Sequence, residues 1–253
     1  MQQPISQLPF CLESFNLLLP INAPLLEFLQ TQMSLKHLGL CSSRVPLGKS
    51  DCLDPKDMTG EALLPNLSSL VSCPTNFATL APGRPINHAS VHRCETHRWN
   101  ALMPSLISGI DRSTGPIKTL RVDLGSIRDT RCVDFVASLG NTNAASTLEM
   151  LTLIPTGFDD DYWMPPGGEH LGPLASPPQL FSVLSALSLL VIEKPIRGPE
   201  DEVFIEELGE TILPAEPKYD SIWSHAQAKE SWRVNCPKLT SVCIYGKRLN
   251  LRA

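Results

Sequence analysis

A short pattern of apolar positions recurs along the chain and predicts its strands. One apolar residue is followed by two more, three and five positions later, as in Ile117, Leu120 and Val122. The same spacing begins at several other residues, clearly at the first four and more weakly at the last two: Leu35, Leu148, Leu187, Leu239, Leu67 and Ile86. The second and third residues of each copy are two apart, so they point to one face of a strand.

The distance between copies predicts how the strands are connected. The steps between successive copies are 32, 19, 31, 31, 39 and 52 residues. Most of these fit a strand and a helix in each unit, and the last two imply insertions. One such strand cannot bury its own apolar face, so neighbouring units must stack and share a core. We therefore predict an α/β fold, a degenerate leucine-rich-repeat solenoid with a curved parallel sheet, outer helices and long loops.

Amphipathic segments between the copies predict the helices. Trp99–Asp111 and Thr130–Leu139 carry apolar residues at three- and four-residue steps, which places them on one helical face. Shorter helices are predicted at Ala23–Gln32 and Ser224–Trp232, and Phe181–Ile192 fits either a helix and a strand or one long strand.

The predicted domain organisation is one array with an N-terminal addition. Residues 1–24 are polar and contain spaced prolines, so we assign them to an extension or cap. Residues 25–253 form the array, with insertions at 155–178 and 195–219, where proline and acidic residues interrupt the pattern.

Composition narrows the function classes. The chain has 21 basic and 26 acidic residues, a net charge of −5, which argues against nucleic acid or an anionic membrane as a partner. No basic segment followed by an apolar run opens the sequence, and the longest apolar run is too short to span a bilayer. We expect an intracellular protein, cytoplasmic or nuclear, whose eight cysteines are unpaired.

One cluster of candidate metal ligands occurs in the sequence. His88, His92, Cys94 and His97 include the residue types that bind zinc, but no paired Cys-x-x-Cys or His-x-x-x-His spacing accompanies them. Phosphate-binding and nucleophile-elbow motifs are also absent from the sequence. We therefore predict no enzyme activity, catalytic residue, metal or cofactor, and keep a metal-binding or enzymatic domain using the His88–His97 cluster as an alternative.

Strand parity predicts a protein-binding surface instead. Residues that point away from the core of a repeat array line an exposed sheet face. The predicted partner-binding residues are His37, His88, Ser90, Thr119, Arg121, Asp123, Met150, Thr152 and Tyr245. Arg121 and Tyr245 are the first choices, because arginine and tyrosine are frequent energetic anchors of interfaces. A second candidate patch lies in the first insertion, at Asp159, Asp160, Asp161, Tyr162 and Trp163.

Several runs of sequence resemble a known family. LPNLSSL (64–70), PGRPI (82–86), RSTGPIKTL (112–120) and CPKLTSV (236–242) resemble the C-terminal regions of fungal F-box proteins with leucine-rich-repeat-like arrays. The resemblance implies the substrate-recognition region of a cullin-type ubiquitin ligase, which holds an unidentified protein target. It also implies the ligase adaptor and cullin as partners if an F-box exists outside this chain.

An F-box itself is not found. It usually opens with Leu-Pro-x-Glu and continues as a helical segment, whereas Leu8, Pro9 and Phe10 match only its first two letters. A non-functional fragment of an F-box protein is therefore a further alternative.

Overall fold

The computed structural model describes residues 11–17, 23–40, 63–92, 99–126, 130–156, 177–193, 229–244 and 246–252. Within these ranges the strands form one nine-stranded sheet, in which every strand lies beside its neighbours in chain order. Its strands are β1 (Ser14–Leu17), β2 (His37–Leu40), β3 (Ser69–Ser72), β4 (His88–Val91), β5 (Thr119–Ser126), β6 (Met150–Thr156), β7 (Leu189–Ile192), β8 (Ser241–Ile244) and β9 (Lys247–Asn250). Strands β1 to β8 are parallel, and β9 returns antiparallel to β8.

Helices connect the strands and form a second layer. The described helices are α1 (Ala23–Thr31), α2 (Pro74–Leu80), α3 (Trp99–Asp111), α4 (Thr130–Leu139), α5 (Pro177–Phe181) and α6 (Lys229–Asn235). Helix α2 begins with Pro74, whose missing N–H costs nothing at the first helical position. From α2 to α6, each helix contacts the next one along the chain.

The core lies between the sheet and the helix layer. The apolar residues of the strand pattern, among them Leu70, Leu120 and Leu151, are almost fully buried with helix residues such as Phe77 and Phe135. At the C-terminal end Phe181 stacks on Trp232, with ring centroids 6.2 Å apart. One continuous apolar core therefore joins all the described units.

A repeated backbone contact joins each unit to the next. The carbonyl oxygen of the residue before a strand accepts hydrogen bonds from two consecutive amides of the following unit, at 2.7–3.4 Å. The accepting residues are Glu13, Lys36, Ser68, Asn87, Lys118, Glu149 and Ser188. This contact provides hydrogen-bond partners for the backbone N–H and C=O groups at the turn into the strand, and it keeps the parallel strands in register.

The predicted α/β class is confirmed, and most predicted elements lie where the pattern placed them. Helices α3 and α4 have the predicted bounds, and Phe181–Ile192 divides into the end of a helix and the strand β7. The segment assigned to an extension or cap contributes β1 at the edge of the sheet. The predicted insertions lie outside the described residues, except at 155–156, in β6, and at 177–178, in α5.

Two turns approach each other closely beside β4 and β5. The backbone N–H groups of Gly83 and Thr114 bond to the carbonyl oxygens of Arg112 and Arg84, both at 2.9 Å. A side chain at Gly115 would collide with the backbone of Pro85, because a Cβ atom there would lie 2.4 Å from its carbonyl carbon. Only glycine fits this contact.

The Arg84 side chain is buried beneath these turns. Its Nε donates to the carbonyl oxygen of Leu63 at 2.9 Å, and a second guanidinium nitrogen donates to the carbonyl oxygen of Pro82. Burial lowers the pKa of Arg84 from its ordinary value. The buried charge is therefore accommodated by backbone acceptors, and it connects this turn to the unit of β3.

The described cysteines are free thiols with different environments. Cys11 is exposed, whereas Cys236 is buried and its burial raises the pKa of the thiol from 9.0 to about 11. We expect iodoacetamide at pH 8 to modify Cys11 in the native protein and Cys236 only after unfolding, because the thiolate is the reactive form. Peptide mapping by mass spectrometry measures both rates, and equal rates in the native protein would contradict the burial of Cys236.

The same pKa shift makes stability depend on pH. The Cys236 thiol has a higher pKa in the folded than in the unfolded protein, so the folded state holds its proton more strongly. The resulting contribution to the free energy of unfolding is complete below pH 9 and is lost as the pH rises towards about 11.

Candidate binding surface

The face of the sheet opposite the helices carries two rows of residues, and we call it the outer face. Backbone register aligns the first row across β2 to β6: His37, Ser69, His88, Thr119 and Met150. The second row follows two residues later in each strand: Gly39, Val71, Ser90, Arg121 and Thr152. Parallel strands in register thus place residues from five units next to one another.

A depression of about 280 Å³ lies on the outer face between β3 and β6. Residues with hydroxyl, apolar and charged side chains line it: Ser69, Val71, His88, Ala89, Ser90, Thr119, Leu120, Arg121, Met150, Thr152 and Glu193. The side chains of Ala89 and Leu120 are themselves buried in the core. A volume of this size accommodates one or two side chains of a bound peptide. Partly exposed apolar residues, Val71 and Met150, lie beside polar groups there, a combination that ligand sites use.

Arg121 and Glu193 form the charged part of the lining. The guanidinium donates to a carboxylate oxygen of Glu193 at 2.7 Å, although the two residues are 72 positions apart in the chain. The side chains are 36% and 33% exposed, so the pair is partly shielded from water and still accessible. Arg121 Nε is buried and makes no hydrogen bond. The pair therefore retains hydrogen-bonding capacity that a ligand could use after a small rearrangement.

Two histidines make hydrogen bonds across the outer face. His88 Nδ1 lies 2.8 Å from the hydroxyl oxygen of Thr119, on the neighbouring strand. His92 Nε2 lies 2.8 Å from the hydroxyl oxygen of Ser90, two residues earlier. These bonds orient both rings and also hold the Ser90 and Thr119 hydroxyls in the lining of the depression.

The structure brings most of the predicted partner-binding residues together. Six of them line the depression: His88, Ser90, Thr119, Arg121, Met150 and Thr152. His37 and Asp123 lie on the outer face but do not contribute to the lining. Tyr245 and the loop patch at 159–163 lie outside the described residues.

Glu193 is a charged residue of the lining that sequence analysis did not select. A signal for it exists, because Leu189, Val191 and Glu193 are two residues apart, and the first two occupy the outer rows in β7. Its pairing with Arg121 depends on the packing of β5, β6 and β7, which no local pattern contains.

The predicted metal cluster is only partly described. His88 and His92 bond to hydroxyl groups of the outer face, while Cys94 and His97 lie outside the described residues. Among the residues that the structure describes, no three histidine, cysteine or acidic side chains are close enough to bind a metal ion. None of the helices in the described ranges has the length and hydrophobicity that crossing a bilayer requires.

The chain matches no protein-family model, and a search of curated proteins finds no match either. The fold and the surface define an α/β protein with a mostly parallel sheet, whose outer face carries a lined depression.

Proposed function

We propose that this chain is a protein-interaction module, built as a degenerate leucine-rich-repeat array, which binds its target on the outer face of the sheet. The observation that carries the proposal is the depression between β3 and β6, where six residues predicted by strand parity lie together. Their side chains come from successive units, which is how repeat arrays build binding surfaces.

The connectivity supports the repeat-array part of the proposal. The strands follow one another in chain order, a helix precedes most of them, and the same pair of backbone hydrogen bonds recurs at each step. Each unit shares its apolar residues with the next one, as expected for units that cannot bury their own apolar face.

The chemistry of the depression supports a protein target. Val71 and Met150 are partly exposed and offer apolar contact, and the neighbouring hydroxyls and imidazoles offer hydrogen bonds. Arg121 lies among them with its guanidinium fixed by Glu193. Interfaces commonly combine an arginine anchor with an apolar floor and polar surroundings.

The resemblance to fungal F-box proteins extends the proposal to a cellular role. On that basis the outer face recognises the target of a cullin-type ubiquitin ligase, and the ligase adaptor and cullin are further partners if an F-box exists outside this chain. Affinity capture of the tagged chain from its native cells tests this extension. Enrichment of the adaptor and cullin supports it, whereas a specific partner without them supports a separate binding module.

Arg121→Ala tests whether the captured partner binds at the depression of the outer face. We expect binding to weaken by roughly thirtyfold, because truncation of a central interface arginine typically costs about 2 kcal/mol. Titration of the purified partner, followed by isothermal calorimetry, measures the change.

Arg112→Ala is the matched control, since Arg112 is exposed just after α3 and not on the outer face. Both variants should melt close to the unsubstituted protein. Equal affinity of the two variants for the partner would mean that the partner binds elsewhere on the chain. A capture that enriches no partner would favour the hypothesis of a non-functional fragment.

A further inference from the structure

The last unit of the sheet is basic, although the chain as a whole is acidic. Residues 229–252 contain one acidic residue, Glu230, and six basic residues: Lys229, Arg233, Lys238, Lys247, Arg248 and Arg252. Taking these from the 21 basic and 26 acidic residues of the chain leaves 15 and 25 elsewhere, a net charge of −10. The positive charge is therefore concentrated in one short segment.

Tertiary contacts bring together backbone segments that carry part of this charge. Arg233 Nε donates to the carbonyl oxygen of Leu251 at 2.7 Å, which holds the end of α6 against the residue before Arg252. The Leu251 N–H bonds to the carbonyl oxygen of Thr240 at 2.8 Å, two residues after Lys238. We call Arg233, Lys238 and Arg252 the terminal basic cluster.

Lys238 and Arg252 of the terminal basic cluster differ from several other basic side chains of the sheet units, because among the described residues they have no carboxylate partner. Several of those units pair a basic side chain with a carboxylate: Lys36 with Glu13 at 3.1 Å, Lys118 with Glu149 at 3.3 Å, and Arg121 with Glu193 at 2.7 Å. In the cluster, Arg233 lies 4.0 Å from the carboxylate of Glu230, which is 82% exposed. Lys238 and Arg252 are exposed and have no ion-pair partner among the described residues.

We propose that the terminal basic cluster binds a short acidic segment of a protein partner, whose carboxylates pair with Lys238 and Arg252. The guanidinium group of Arg252 can donate two parallel hydrogen bonds to one carboxylate, and the Lys238 ammonium adds a second positive charge. Arg233 adds to the positive electrostatic potential of the cluster while its Nε remains hydrogen-bonded to the Leu251 carbonyl oxygen. The cluster lies beside β8 and β9, away from the depression at β3 to β6, so this proposal does not depend on the function proposed above.

The charge of the rest of the chain favours a short acidic peptide over a nucleic acid. Nucleic-acid sites commonly neutralise about six to ten phosphates, and a long polyanion would extend beyond the cluster. It would then meet a chain whose remaining residues carry a net charge of −10 and repel it. A short peptide avoids this repulsion because all its carboxylates can remain beside the cluster.

Fluorescence anisotropy with a short labelled glutamate-rich peptide tests the proposal. We expect salt-sensitive binding to the full chain and no comparable binding of the same peptide with every glutamate replaced by glutamine. The double variant Lys238→Glu/Arg252→Glu should bind the acidic peptide about tenfold more weakly, because two favourable surface pairs become repulsive.

Arg112→Glu is the control for a general change of charge, and it should retain most of the affinity. Circular dichroism and thermal melting check that both variants are folded. The proposal is overturned if the glutamine peptide binds equally, if the double variant retains full affinity, or if a single-stranded DNA oligonucleotide binds more tightly than the peptide. Sedimentation analysis provides a further check. If the unsubstituted chain self-associates and the double variant does not, a second copy of the chain occupies the cluster and the proposal is overturned.

Discussion

Leu151→Asp is expected to unfold the protein in water. Leu151 is 0% exposed and is the second residue of β6, between Leu120 of β5 and Leu190 of β7. The substitution removes buried apolar surface, which alone costs about 2–5 kcal/mol, and adds a carboxylate that has no partner in the core. The combined loss is comparable with the whole stability of an ordinary domain, about 5–15 kcal/mol.

Met150→Asp is the matched control for this prediction. Met150 is the neighbouring residue on the same strand, but its partly exposed side chain points to the outer face. We expect it to cost about 1 kcal/mol, because water still solvates the new carboxylate. Thermal melting followed by circular dichroism compares the two, and a normal melting transition for Leu151→Asp would show that this position is not interior. Leu120→Asp should repeat the result in β5, where Leu120 is equally buried.

Gly115→Ala is expected to destabilise the fold strongly, although it adds only one methyl group. The added Cβ would lie 2.4 Å from the carbonyl carbon of Pro85 and 2.7 Å from its Cα, and these are backbone atoms that cannot turn aside. The two turns must separate, which also strains the bond between Thr114 N–H and the Arg84 carbonyl. We expect a loss of about 3 kcal/mol, measured as a lower midpoint in urea with an unchanged slope.

Gly83→Ala is the control, because its cost has a different origin. Gly83 has φ +74°, which alanine adopts only with strain, but no atom lies within 4 Å of the position that the added methyl carbon would occupy. We expect a loss of about 1 kcal/mol from backbone strain alone. Equal costs for the two alanine variants would mean that Gly115 is not confined by Pro85.

The outer face illustrates how far strand parity can predict a site. Side chains in a strand alternate strictly, so the apolar pattern that identified Leu120 and Val122 as interior also placed Thr119 and Arg121 outside. Because neighbouring strands are parallel and in register, the same reasoning brought Met150 beside Thr119. These outward residues line one depression, although the sequence separates them by tens of positions.

Other features could be identified only from the packed structure and not from the sequence pattern. The ion pair of Arg121 and Glu193 joins residues 72 positions apart and passes over β6, so its formation depends on the order of three strands. Arg84 follows a Pro-Gly turn and would be expected at the surface, yet it is 5% exposed and bonded to backbone oxygens. The net charge of −5 argued against nucleic acid or an anionic membrane as a partner, whereas the structure brings basic segments of the chain together beside β8 and β9.

The sequence by itself determined the α/β class, the bounds of α3 and α4, and which side of each predicted strand faces the core. These properties follow from periodicities of 3.6 and 2 residues, which are local and need no knowledge of neighbours. Only the tertiary structure decided that Gly115 lies against Pro85, that Glu193 holds Arg121, and that Arg233 bonds to the residue before Arg252. Such contacts depend on how separate units stack in three dimensions, and the free energy that selects them comes from the shared core rather than from any one segment.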